Sequence, residues 1–110
     1  MSANACVIYF GLRFDIAPDA IEALETRSDP RIVAARKAGL KCYWGNFGAP
    51  GERYLLFVGA QIGVMGPEGQ LEVQLSAGDL EALAASVQAK LGKAGLEGTP
   101  GLHAQWQTDF

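Results

Sequence analysis

No stretch of this chain stays apolar over the roughly 18 residues that a membrane-crossing helix requires, and no run of like charge marks a polybasic arm or a disordered tail. The formal net charge is only −3, so a general DNA or RNA binder is not expected. Cys6 and Cys42 are the two cysteines. Each sits in its own apolar run, outside any CxxC or Cys/His spacing, and buried free thiols are therefore expected rather than a disulfide or a metal site. His103 is the only histidine, whereas a zinc site wants three or four convergent ligands. The glycine-rich pieces at 59–63 and 92–101 lack the strand, GxGxxG, helix context of a nucleotide loop, and no serine or cysteine stands in a nucleophile elbow. No cofactor is implied. Gly11 and Arg13 interrupt the apolar part of the N-terminal stretch, which does not read as a secretory leader. A cytoplasmic, reducing location is the resulting expectation, without a membrane or nucleic-acid partner.

What is present is organised around Tyr54 to Met65, YLLFVGAQIGVM, apolar on both alternating faces. Such a run needs a neighbour on each side and cover above and below, which makes it a central strand. At 110 residues the chain suits one domain with a single core. Before that strand, Ala5 to Ile16 alternates with period two, placing Cys6, Ile8, Phe10, Leu12, Phe14 and Ile16 on one face. Pro18 and Asp19 open a helix carrying Ile21 and Leu24 inward. Ser28-Asp29-Pro30 restarts it as a second short helix, closed by Gly39. Leu40 to Phe47 reads as a strand joined to the central one by the turn at 48–52. Beyond Met65, Gln70 to Leu75 alternates and reads as a further, edge strand. Ser76 and Asp79 form a capping-box opening to an amphipathic helix through Leu80, Leu83, Val87 and Leu91, stopped at Gly95-Leu96. Leu102 to Phe110 closes as a strand.

This order predicts an α+β fold, ferredoxin-like or a variant of it, with a four- to five-stranded mainly antiparallel sheet and helices packed on one face. If the helices cover the bulkier parity, including Leu12, Trp44, Val58, Ile62, Val64, Leu102, Ala104 and Trp106, both tryptophans are core. The other parity then looks outward. It carries Tyr9, Gly11, Arg13, Tyr43, Gly45, Phe47, Phe57, Gly59, Gln61, His103 and Gln105. Glycines inside strands mark places where something approaches the backbone, and aromatics beside hydrogen-bonding groups are the make-up of an interface or a ligand cleft.

The expected function is a non-catalytic binding domain, of regulatory or partner-neutralising type, that uses this face to form a homo-oligomer or hold another protein. Tyr9, Tyr43, Phe47 and Phe57 would be its anchors. The alternative is a small-ligand-binding protein or small enzyme with a pocket on the same face, Arg13 holding an anion and His103 acting as acid, base or ligand. One further feature stands apart: Arg27, Arg31, Arg36, Lys37 and Lys41 crowd into 27–41 against Asp29 alone. A solvated helix face accounts for them, and contact with an anion or acidic partner is the competing reading.

Overall fold

The computed structural model describes residues 4–48 and 51–108. Its strands are β1 (Ala5–Ile16), β2 (Lys41–Asn46), β3 (Tyr54–Met65) and β4 (Gly101–Gln107). They form one antiparallel sheet in the order β2-β3-β1-β4. The helices are α1 (Ile21–Glu25), entered through a short 3-10 turn at Pro18–Ala20, α2 (Pro30–Lys37) and α3 (Ala77–Ala94). The fold is α+β, and the four-residue centre of β3, from Leu55 to Val58, is wholly inaccessible, as its two-sided apolar pattern requires.

Local chemistry sets the helix limits. Asp29 caps α2 with its carboxylate: Arg31 donates its backbone N–H to Oδ1 at 2.9 Å, its Nε to the same oxygen at 3.0 Å and Nη2 to Oδ2 at 2.8 Å. The arginine is thereby folded back, with its guanidinium 5.1 Å from the centre of the Phe14 ring. Gly39, at φ 82°, closes the same helix as Leu40 N–H returns to Ala35 O at 2.9 Å, the bond pattern of a Schellman stop. Ser76 caps α3 by accepting from Asp79 N at 3.1 Å, and Gly95 at φ 69° ends it.

Two apolar clusters lie on opposite parities of the sheet. In the first, Leu24, Ile32, Ala35, Val87 and Leu91 from the helices meet Leu12, Ile16, Leu40, Leu56 and Val58. Each large side chain so buried contributes about 1.5 to 3 kcal/mol before entropy is subtracted. The second contains Val7, Tyr9, Phe47, Leu55 and Phe57, with Tyr43 packed against it.

Three expectations are corrected. Residues 71–76 form no strand; Gln70 makes only an isolated bridge to Met65. The Gln70 side chain accepts the Val64 N–H at 3.1 Å, and the chain crosses over Gly63, where any side chain would collide with Gln70 and Val73. Gln70 therefore stands beside the end of β3, its N–H donating to Val64 O at 2.9 Å, while Val73 reaches over the strand at Gly63. Second, the register of β1 on β3 slips after Ile8, which faces Gly63 while Tyr9 faces Gln61. Ile62 is the extra residue of a bulge, so the alternation reverses beyond it and Val64 sits opposite Val7, on the other face from the one expected. Third, Trp106 is 54% and Leu102 59% exposed. They share the face of Cys6 and Phe10, their partners on β1, but α3 packs on β1 and β3, so the outermost strand is left uncovered.

Candidate functional site

The parity expected to look outward is assembled as one face, yet its aromatics are not available to a partner. Tyr9 is 2%, Phe47 9% and Phe57 0% exposed. Phe57 stacks on Tyr9 with centroids 5.6 Å apart and meets Phe47 edge-on at 5.5 Å. The expectation of three open anchors is thus corrected. Of the four aromatics, only Tyr43 is half-buried.

A polar layer from the same face closes over these rings. Tyr9 donates its hydroxyl to Gln61 Oε1 at 3.4 Å. His103 sits 5.8 Å from the Phe57 ring centre, and its Nε2 lies 3.1 Å from Gly11 O; a carbonyl only accepts, so the imidazole carries its proton on Nε2. Arg13 Nη1 donates to Gln105 Oε1 at 3.3 Å. Burial pushes the Tyr9 phenol up to about 12, with smaller effects from Cys42 and Tyr43, and it raises Tyr43 as well. Both phenols stay protonated across the neutral range.

The Arg13 contact also shows how sharply the sheet curves. Gln105 pairs with Val7, and a straight strand from Val7 to Arg13 would span roughly 20 Å, beyond the reach of these two side chains. The bend falls where Gly11 pairs with Gly59. Their φ angles are 155° and 157°, and a Cβ on either would run into the backbone of the other strand. What approaches the backbone there is the partner strand itself. The long central pair of strands therefore folds toward the aromatic cluster and brings the polar layer over it.

Arg13 and His103 both belong to that layer, and each spends a hydrogen bond inside the chain. Three clefts, at the outer edge of β2, between β2 and α3, and beside Trp106, are lined by other residues. Cys6 and Cys42 are half-buried and unpaired, and desolvation lifts the Cys42 thiol to about 11. Among the described residues no group of three or more His, Cys, Asp or Glu side chains could hold a metal ion.

The surface with unmet demand lies elsewhere, on β4. Leu102, Ala104 and Trp106 line one exposed face of an edge strand whose sequence, GLHAQWQ, has no lysine, acid or proline. Trp106 borders a shallow cleft with Met65 and Leu71, and Leu71 is 85% exposed. The alternation of β4 was legible in the sequence, but the missing cover was not. No protein family, curated protein or solved structure matches this chain.

Proposed function

We propose that this chain is a non-catalytic binding domain of ferredoxin-like path that associates with a second copy of itself, edge to edge, through β4. The path is supported by the element order and by the all-antiparallel order β2-β3-β1-β4. That every buried helix residue joins the first cluster supports helices on one face.

The observation that carries the association is the self-complementary edge. Natural edge strands are blunted by charge, proline or bulges, because an unpaired apolar edge recruits another strand. β4 has no such device. A two-fold axis at Ala104 would set Leu102 of one copy against Trp106 of the other, twice, on the same exposed face. Two tryptophans would be covered, and large aromatics dominate interface energetics.

Sedimentation measured across a concentration series tests this. The wild type is expected to dimerise, and Trp106→Asp and Ala104→Lys to be monomeric with an unchanged far-ultraviolet circular dichroism spectrum. A wild type that stays monomeric at the highest concentrations, or a dimer indifferent to both substitutions, would refute it.

A further inference from the structure

We infer that the opposite edge of the sheet is a second binding site, at which β2 takes an acidic segment of another protein in extended conformation. This rests on different residues from the association through β4 and stands or falls separately.

Beside β2 lies a cleft of about 690 Å³ lined by Arg27, Arg36 and Lys41, with Leu24, Ile32 and Leu40 among its apolar residues. No acidic residue lines it. Among the described residues none of the three cations has an ion pair; Asp29, the acid within their segment, is taken up by Arg31. Three unpaired positive charges thus gather on a chain of net charge −3, and a low-dielectric wall behind them strengthens their field.

The main chain of β2 supplies the second half of the site. Phe47 N–H donates to Arg53 O at 2.8 Å, which makes this a hydrogen-bonded pair at the start of the β2-β3 ladder. In an antiparallel ladder such pairs alternate with pairs whose N–H and C=O point away. Asn46, Trp44 and Cys42 therefore turn their main-chain groups outward. The Asn46 carbonyl is met by Gln107 Nε2 at 3.3 Å, whereas those of Cys42 and Trp44 have no partner outside the sheet among the described residues. An extended segment hydrogen-bonding at these two residues would carry its own side chains into the cleft, and acidic ones would meet Arg27, Arg36 and Lys41. A small anion would leave the edge unused. A second copy of β2 would bring like-charged clefts together, so a foreign acidic strand is the occupant that satisfies both halves.

Amide NMR titration of the full chain decides it. Four probes are compared: a peptide alternating Glu and Val, its Lys-Val counterpart, the Glu-Val peptide N-methylated at alternate residues, and inorganic phosphate. The Glu-Val peptide is expected to shift the amides of Cys42 and Trp44 and the other three not to. Arg27→Gly combined with Arg36→Glu should weaken binding about tenfold. Arg27 sits at φ 58°, a conformation that favours glycine, so the first substitution does not threaten the fold. Equal binding of the N-methylated peptide, reproduction of the shifts by phosphate alone, or no shift at β2 would each overturn the inference. The titration is repeated on Trp106→Asp, where unchanged binding shows that the two edges act independently.

Discussion

Gln107 occupies the space that a side chain at position 45 would fill: a Cβ on Gly45 would lie 2.7 Å from its Nε2. Gln107 belongs to β4 and Gly45 to β2, the two outer strands of the sheet, which a flat sheet would hold about 14 Å apart. Tyr43 donates its hydroxyl to Gln107 Oε1 at 2.6 Å, and Gln107 donates to Asn46 O. The glutamine amide thereby clasps the two edges across the aromatic cluster, and the glycine is where it passes.

If that is the role of Gly45, Gly45→Ala should destabilise by about 1 to 2 kcal/mol through overpacking. Gln107→Ala should cost a similar amount by removing the hydrogen bonds that join its amide to Tyr43 and Asn46. The double variant should lose less than the sum, since the new methyl enters space the glutamine has vacated. Urea unfolding of the four proteins measures this coupling.

Gly11→Ala and Gly59→Ala are expected to be more damaging, at least about 3 kcal/mol each, because the clash is with opposing backbone rather than with a side chain that can turn away. Thermal melts would show it. A loss below 1 kcal/mol would mean that the central strands can separate here without harm.

Acid stability should depend on Asp29. The Arg31 side chain holds its carboxyl below the ordinary aspartate value of 3.8. The carboxylate's stabilisation is therefore complete above that value and is lost as pH falls through the lower value of the folded state. Asp29→Ala should cost about 1 to 2 kcal/mol near neutral pH, from the cap and its charge-assisted bonds. It should also flatten the acid limb of a stability-against-pH curve, and an unchanged limb would count against the assignment.

At the alkaline end Tyr9 is one of three groups among the described residues, with Cys42 and Tyr43, that burial holds protonated. The Tyr9 phenol titrates near 10.0 when exposed and at about 12 in the fold, so burial stabilises the protein fully below pH 10 and that stability drains away as pH rises toward 12. Tyr9→Phe should shift the alkaline unfolding midpoint upward. Phenolate absorbance followed alongside circular dichroism would reveal whether ionisation and unfolding coincide.

Much of the architecture was legible because local rules and the global fold agree. Asp29-Pro30, Gly39, Ser76 and Gly95 stop and start helices where capping chemistry says they should, and the two-sided apolar run of β3 placed it at the centre. The candidate site is less legible. Period-two alternation says which residues share a face but not what lies over them, so it presents Phe57 as an anchor and Trp106 as core, where the fold buries the first and bares the second. The bulge at Ile62 carries no sequence mark, and one extra residue was enough to turn Val64 to the other side.

By itself, then, the order of residues determined the helices with their caps, the four strands and the parities of the sheet as far as Gln61, because those depend on neighbours a few positions away; it did not determine the path of 70–75 or the parity beyond Ile62. Only the tertiary structure decided which face is sealed and which strand is bare. That depends on the bend at Gly11 and Gly59, on the reach of Gln107 across the sheet, and on α3 lying over β1 and β3, contacts between residues far apart in the chain.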